Sequence, residues 1–167
     1  MRSLFDSQLR GVPGSTSPSK ERKEIKVKSS TGHKKKVLVM DDDPFIRRVI
    51  RSLFRDSGYD MRAVKNGVEA IENFKKAKAL GNPFDAVILD LHVPPGMGGD
   101  ETLKKLRDVD PEVKAILLTA DICHPAVSDY ETLGFKSAII KPFSLSDLRQ
   151  ALDRAFGTMS DDPGESS

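Results

Sequence analysis

Hydrophobic and polar positions fall into two kinds of segment from Val37 onward. Short apolar runs are separated by longer stretches in which apolar residues recur at the spacing of a helix. The runs occupy residues 37–40, 60–64, 85–89, 114–118 and 137–140. Five strands that alternate with five helices, in units of about 24 residues, predict a parallel sheet covered by helices on both faces. The chain is therefore assigned to the doubly wound α/β class.

The first and last helical segments carry the clearest apolar stripes. In the first, apolar residues fall at i, i+3, i+4, i+7 and i+8, on Ile46, Val49, Ile50, Leu53 and Phe54. The last segment repeats the stripe between Leu145 and Phe156. Ser144, followed three residues later by Asp147, predicts a capping box at its start. Each of these helices therefore has one face to bury against the sheet.

Charge is distributed unevenly along the 167 residues. Residues 1–36 hold ten Lys or Arg and three Asp or Glu, whereas the remainder holds seventeen and twenty-two, so the domain itself gives no reason to expect nucleic-acid binding. The Ser, Gly, Pro and Lys content of the first segment predicts a flexible leader. We therefore divide the chain into a flexible basic leader (1–35), one domain (36–156) and a flexible acidic tail (157–167).

Cysteine content and hydropathy indicate the compartment. The single cysteine, Cys123, excludes an internal disulfide framework and suits a reducing environment. No apolar run approaches the roughly 18 residues of a membrane span, and the amino-terminal residues lack the apolar block of a secretory signal. A cytoplasmic protein without a membrane span is expected.

The residues that end the predicted strands carry the chemistry. In doubly wound sheets, ligands bind beyond the carboxyl ends of the strands. The first run is followed by Asp41-Asp42-Asp43, the third by Asp90, the fourth by Thr119 and the fifth by Lys141-Pro142. If the first and third strands are neighbours, three carboxylates converge and need a cation. Oxygen ligands with room for water suit Mg²⁺.

The three consecutive aspartates are expected to have different roles. Asp43 precedes Pro44, and proline is favoured at the first position of a helix, so Asp43 is predicted to be the N-cap of the first helix. Asp41 and Asp42 lie nearer the strand end and face the crevice. They are the predicted metal ligands.

Four motifs in this order and spacing carry a family resemblance: "VLVMDDDPFIRRVI", "AVILDLHVPPGMGG", "AILLTAD" and "AIIKPF". Together they resemble the receiver domain of two-component response regulators, over about residues 36–156. The resemblance implies a flavodoxin-like fold of five βα units with strand order 2-1-3-4-5. It also implies that Asp90 is the phosphoacceptor, which receives a phosphoryl group from a phosphohistidine on a sensor histidine kinase in the presence of Mg²⁺.

The resemblance implies roles for the remaining motif residues. Asp42 corresponds to a direct Mg²⁺ ligand and Asp41 to a ligand that acts through water. The backbone carbonyl of His92, two residues beyond Asp90, would be a further ligand. Thr119 matches the hydroxyl residue that donates a hydrogen bond to the phosphoryl group, and Lys141 matches the cation that contacts a phosphate oxygen. A cis bond before the proline that follows the lysine is usual in the family.

Two features depart from the common family pattern. The loop "VPPGMGG" places Pro95 and Gly96 where most receivers have one residue, and this longer form resembles the receivers of hybrid sensor kinases. The basic leader resembles the linker that joins a kinase core to such a receiver. The position three residues before Lys141, which often holds an aromatic switch residue, is Ala138.

The function predicted from the sequence is a phosphorylatable receiver that switches the binding of a downstream protein. It is not expected to be an enzyme, beyond promoting its own phosphorylation and slow autodephosphorylation. With eleven residues after Phe156, no DNA-binding output domain is expected. One alternative is a phosphorelay intermediate, or a detached receiver of a hybrid histidine kinase, that passes phosphate to a histidine phosphotransfer protein.

Two alternatives come from other classes of protein. A metal-dependent phosphatase of the haloacid dehalogenase type would use an Asp nucleophile, but it wants Asp-x-Asp after its first strand. Here the candidate follows the third strand and reads Asp90-Leu91-His92. A flavodoxin-like flavin binder would share the topology without needing the acids or Lys141.

Overall fold

Five parallel strands form a single sheet in the computed structural model, which describes residues 32–158. The strands are β1 (Lys36–Met40), β2 (Asp60–Val64), β3 (Ala86–Asp90), β4 (Ala115–Thr119) and β5 (Ser137–Ile140). Their order is β2-β1-β3-β4-β5, which confirms the predicted class and strand order. Because β1 and β3 are neighbours, the sheet has its switch point between them, where a doubly wound fold binds ligands.

Within residues 32–158, six helices connect and cover the strands, one more than the sequence predicted. They are α1 (Pro44–Phe54), α2 (Gly67–Ala79), α3 (Gly99–Val109), α4 (Pro125–Ser128), α5 (Tyr130–Leu133) and α6 (Leu145–Phe156). The prediction of one helix between β4 and β5 was wrong because Asp129 leaves helical geometry, with φ −109° and ψ 19°. Pro125 begins the first piece and Gly134, with φ +93°, ends the second.

The hydrophobic core has two layers, one on each face of the sheet. Side chains alternate along the strands, so Leu38 and Leu89 join the layer beneath α2 and α3, whereas Val39 and Ile88 join the layer beneath α1 and α6. All five residues of both β3 and β4 are buried. The interior of a parallel sheet therefore holds the chain rigidly up to the residues that end each strand.

The sequence predicted the helix caps and stripes well. Ile50 and Phe54 of α1 and Leu148 and Leu152 of α6 pack in the layer on their side of the sheet. Ser144 begins α6 with the predicted capping box: its hydroxyl accepts a hydrogen bond from the Asp147 N–H, and the Asp147 carboxylate accepts one from the Ser144 N–H.

Strands β3 and β4 lie one residue later than the apolar runs predicted. Asp90 is paired with Leu118 and Thr119 with Ile140, so both polar residues are the last members of their ladders. The Leu91 N–H continues the pairing by donating to the Leu118 carbonyl at 2.8 Å. The two side chains therefore start from sheet backbone and not from a loop.

The outer segments of the chain are described only in part. Residues 1–31 and 159–167, which include most of the predicted leader and tail, lie outside the described residues. The division into leader, domain and tail stays a prediction. Between residues 32 and 158, no helix has both the length and the hydropathy that a bilayer span requires.

Candidate functional site

Three carboxylates meet at the carboxyl ends of β1 and β3. Asp41 is fully buried, Asp90 is 4% exposed and Asp42 is exposed. One oxygen from each lies within 4.8 Å of the others. We call Asp41, Asp42 and Asp90 the acidic cluster. The structure thus brings together the three acids that the strand-end argument selected.

Lys141 is the cation of the cluster, and it reaches the cluster from the end of β5. Its Nζ donates a hydrogen bond to Asp90 Oδ2 at 2.9 Å. The same Nζ forms an ion pair with Asp41 Oδ2 at 2.7 Å. Asp41 Oδ2 is therefore a buried carboxylate oxygen whose partner is the Lys141 ammonium. One ammonium faces three carboxylates, so the cluster keeps a deficit of positive charge.

Burial and neighbouring charges change the pKa values at the centre of the cluster. Burial raises the pKa of Asp90 above its ordinary value, and the Asp41 carboxylate adds to the rise, while Lys141 and the His92 N–H oppose it. For Lys141, burial lowers the pKa, but contacts with the Asp41 and Asp90 carboxylates outweigh burial and raise it. Lys141 therefore stays protonated beside Asp90 at neutral pH.

Short-range hydrogen bonds order the turn from β1 into α1. Asp43 Oδ1 accepts from the Phe45 N–H at 2.7 Å, which confirms Asp43 as the N-cap of α1. Asp41 Oδ1 accepts from the Asp43 N–H at 2.8 Å. The three consecutive aspartates therefore divide as predicted into one cap and two members of the acidic cluster.

Arg47, on α1, is a residue that the sequence analysis did not select. Its Nη1 donates to the carbonyl of Asp41 at 2.7 Å and to the carbonyl of Asp42 at 2.8 Å. It therefore binds the backbone of both cluster residues in the turn. An arginine on an amphipathic helix gives no sequence indication of such a contact.

Thr119 and His92 border the acidic cluster. Thr119 is 2% exposed, and its hydroxyl accepts a hydrogen bond from the Asp121 N–H at 3.1 Å, which leaves the hydroxyl proton free to donate. The His92 N–H lies 3.3 Å from Asp90 Oδ1. Among residues 32–158, no donor binds the His92 carbonyl, and the imidazole is exposed. These residues line a crevice of about 450 Å³ above Asp90.

Two glycines let the loop after β3 approach the end of that strand. A Cβ on Gly98 would lie 2.4 Å from the Leu91 carbonyl oxygen, and one on Gly99 would lie 2.8 Å from the Asp90 carbonyl oxygen. Only glycine permits this backbone contact. The "GMGG" segment is therefore a packing element at the start of α3. The Lys141–Pro142 bond is cis, as the family resemblance implied, and the Pro94–Pro95 bond is cis as well.

Fold and site together define a class: a flavodoxin-like domain whose carboxyl edge holds an acidic cluster and a half-buried lysine. Residues 37–153 match the family described as the response regulator receiver domain, so the chain belongs to that family. It is 29% identical over 119 residues to sporulation initiation phosphotransferase F of Bacillus subtilis, covering 71% of this chain and 91% of that protein. It is 31% identical over 121 residues to chemotaxis protein CheY of Thermotoga maritima, covering 72% and 96%.

Solved receiver domains have the same architecture. One from a sensor histidine kinase of Pseudomonas aeruginosa, which holds a magnesium ion in its active site cleft, matches with a TM-score of 0.64 at 24% identity, covering 75% of this chain and 99% of that one. CheY of Borrelia burgdorferi, in a complex with CheX, BeF3 and magnesium, matches with a TM-score of 0.65 at 26% identity, covering 73% and 89%. The chain is thus a receiver domain of two-component or phosphorelay signalling.

Proposed function

We propose that Asp90 accepts a phosphoryl group from a phosphohistidine of a sensor histidine kinase, in a Mg²⁺-dependent reaction, and that the modification changes the binding of a downstream protein. The observation that carries this proposal is the contact of Lys141 Nζ with the buried carboxylates of both Asp41 and Asp90. Such a costly arrangement of like charges is typical of a functional site.

The residues at the cluster fit a magnesium ion. Three carboxylate oxygens within 4.8 Å of one another are hard ligands, and the single ammonium of Lys141 contacts only two of the three carboxylates. We assign Asp42, Asp90 and the His92 carbonyl as direct ligands and Asp41 as a ligand through water. When bound, Mg²⁺ neutralises the negative charge that phosphate oxygens bring to the cluster.

Asp90, Lys141 and Thr119 each have a separate role in the phosphoryl transfer. An Asp90 oxygen forms the bond to phosphorus while the bond from phosphorus to the donor's imidazole nitrogen breaks, and the electron pair of the broken bond stays on that nitrogen. Lys141, already charged beside Asp90, contacts a phosphoryl oxygen. Thr119 donates its free hydroxyl proton to another. The products are an acyl phosphate and a histidine.

Three exposed apolar side chains, which we call the apolar rim, suit a protein donor. Phe45 at the start of α1, Val68 at the start of α2 and Ile122 after β4 are 66%, 55% and 66% exposed. All three follow carboxyl ends of strands, on the edge that carries Asp90. Exposed apolar side chains on the same edge of a sheet as a polar centre suit a protein-binding surface. We therefore propose that the kinase, or a histidine phosphotransfer protein, docks on Phe45, Val68 and Ile122.

Receiver domains are signalling domains, and we propose that this chain acts as an acceptor that also promotes its own slow dephosphorylation. A phosphatase that acts on separate substrates has less support, because the residue two beyond Asp90 is His92 and not a second acid.

Phosphorylation by a small donor tests the assignment of Asp90. Incubation with acetyl phosphate and Mg²⁺ should add one phosphoryl group, measured by intact mass, and the group should be labile to hydroxylamine, as an acyl phosphate is. Asp90→Asn should abolish the labelling, and EDTA should prevent it. A stoichiometric, hydroxylamine-stable phosphate on Asp90→Asn would contradict the assignment.

The loop between β3 and α3 favours a second candidate, a relay intermediate or the receiver of a hybrid kinase. Its support is the extra residue at Pro95-Gly96, the form that resembles hybrid-kinase receivers. A purified histidine phosphotransfer protein distinguishes the two. Rapid loss of phosphate from Asp90 to such a protein, faster than hydrolysis, would favour the relay.

A further inference from the structure

Arg47 contacts the acidic cluster through the backbone and through no carboxylate. A single nitrogen, Nη1, donates to the carbonyl oxygens of Asp41 and Asp42 at 2.7 and 2.8 Å. Both bonds are short for N–H···O contacts. The side chain is half-buried, and it starts one helical turn after Asp43, the cap of α1. It therefore bridges the helix to the two residues that precede it.

The two cluster residues in this turn need different degrees of support. Asp41 is buried, and its carboxylate is fixed by the Asp43 N–H and by Lys141. Asp42 is exposed, and no hydrogen bond from residues 32–158 holds its carboxylate. Two hydrogen bonds hold the peptide group between Asp42 and Asp43: the Asp42 carbonyl accepts from Arg47, and the Asp43 N–H donates to Asp41 Oδ1. Arg47 is the partner of the carbonyl side, so the direction of the Asp42 side chain depends on a turn that Arg47 helps to hold.

We propose that Arg47 is a positioning residue for the magnesium site: it aligns the Asp42 carboxylate by binding the carbonyls of Asp41 and Asp42. The inference rests on the proposed function, because it assumes that Asp42 is a direct ligand. Groups that orient metal ligands from outside the coordination sphere typically change metal affinity 10- to 100-fold when they are removed. The guanidinium also supplies positive charge to a turn that holds three carboxylates.

The charge of Arg47 and its hydrogen bonds predict opposite changes in Mg²⁺ affinity when the residue is replaced. Removing a positive charge near a cation site should tighten Mg²⁺ binding, because the repulsion between the two cations disappears. Removing the two hydrogen bonds should weaken it, because Asp42 loses its alignment. A loss of affinity on removal of Arg47 therefore cannot be an electrostatic effect of the arginine charge.

Arg48 provides a matched control on the same helix. It is the next residue, it is exposed, and it makes no hydrogen bond or ion pair with residues 32–158. Arg48→Met removes the same charge and keeps the turn intact. The comparison of Arg47→Met with Arg48→Met isolates the contribution of the two carbonyl contacts.

Magnesium titration followed by backbone amide chemical shifts tests the proposal without any phosphorylation. We expect Arg47→Met to raise the dissociation constant about tenfold and Arg48→Met to leave it unchanged or slightly lower. In phosphorylation by acetyl phosphate, Arg47→Met should raise the half-saturating Mg²⁺ concentration, while the rate at saturating Mg²⁺ stays near that of the wild type. A merely structural role would not produce this split.

Each outcome supports or contradicts the proposal. Equal dissociation constants for Arg47→Met and Arg48→Met would overturn it, as would a lower plateau rate with an unchanged half-saturation. If thermal melting shows that Arg47→Met does not fold, Arg47→Gln and Arg48→Gln replace the pair with the same expectations. Asp42→Ala tests the ligand assignment separately from the role of Arg47. If Asp42→Ala fails to weaken Mg²⁺ binding, Asp42 is not a ligand, and the positioning role of Arg47 is wrong as well.

Discussion

Replacing Asp42 with asparagine removes one negative charge from the acidic cluster while keeping the size of the side chain. An Asp42 oxygen lies within 4.8 Å of oxygens of both Asp41 and Asp90. Because Asp42 is exposed, a water-like dielectric applies, and each repulsion is worth about 0.9 kcal/mol. The attraction between the Asp42 carboxylate and Lys141 offsets part of the summed repulsion from Asp41 and Asp90. We therefore expect Asp42→Asn to stabilise the metal-free protein by about 1 kcal/mol.

Magnesium should reverse this ranking. A ligand that binds only the folded state stabilises it by RT ln(1 + [L]/Kd), about 1.4 kcal/mol at ten times Kd. The wild type should gain this amount, whereas Asp42→Asn, which lacks one proposed ligand, should gain little. The assay is urea denaturation followed by circular dichroism, in EDTA at low ionic strength and again with Mg²⁺ at matched ionic strength, because salt screens exposed charges.

Asp43→Asn is the matched control, since it makes the same chemical change one residue later. Asn is as good an N-cap as Asp, and Asp43 is not part of the acidic cluster. Its stability should stay close to that of the wild type, and its gain from Mg²⁺ should be unchanged. The reasoning would be refuted if Asp42→Asn were less stable than the wild type in EDTA. It would also be refuted if Mg²⁺ stabilised Asp42→Asn as much as it stabilises the wild type.

Three further predictions concern other parts of the domain. Phe45→Ser should slow phosphotransfer from the cognate kinase at least severalfold but leave phosphorylation by acetyl phosphate unchanged, because the proposed role of the exposed ring is to contact the donor protein. Equal slowing of both reactions would contradict the proposed docking on the apolar rim. Hydrogen bonds from Ser144 lower the pKa of Asp147, so the ionised Asp147 carboxylate stabilises the fold at neutral pH, and this stabilisation is lost as the pH falls below 3.8. The difference in melting temperature between the wild type and Asp147→Asn should therefore be present at neutral pH and disappear as the pH falls below 3.8. Beryllofluoride should shift the amides of residues 119–130 most, because Ala138 has no ring to reorient; dominant shifts in α6 would disprove this.

The residues at the strand ends were predictable because the same sequence positions, the ends of the apolar runs, mark both the end of a strand and the place where a doubly wound sheet binds its ligand. Apolar runs identify the strands, parallel strands end at one edge of the sheet, and polar residues directly after such runs stand out. Asp43 could be assigned as a cap from Pro44 alone. Asp90 and Thr119 were located correctly, although the structure places them inside their strands, because a polar side chain at the last ladder position interrupts an apolar run just as a loop residue does.

What the sequence did not reveal depends on contacts between backbone and distant side chains. The carbonyls that Arg47 binds have no sequence signature, since every residue has one. The division of the fourth connection at Asp129 depends on one pair of backbone angles, which the pattern of apolar residues does not encode. The requirement for Gly98 and Gly99 follows from how closely the loop after β3 approaches the carbonyls of Leu91 and Asp90, and this distance exists only in three dimensions.

The place of Asp90 and Thr119 as the last paired residues of β3 and β4 has a consequence for engineering. The reactive groups are anchored to a rigid frame, whereas Phe45, Val68 and Ile122 sit on the segments that follow it. In the proposed function, recognition and chemistry therefore lie on separate parts of the domain. A library that varies only these three surface positions should yield receivers that answer to different kinases through an unchanged phosphorylation centre, which makes this domain a practical starting point for building insulated synthetic signalling circuits.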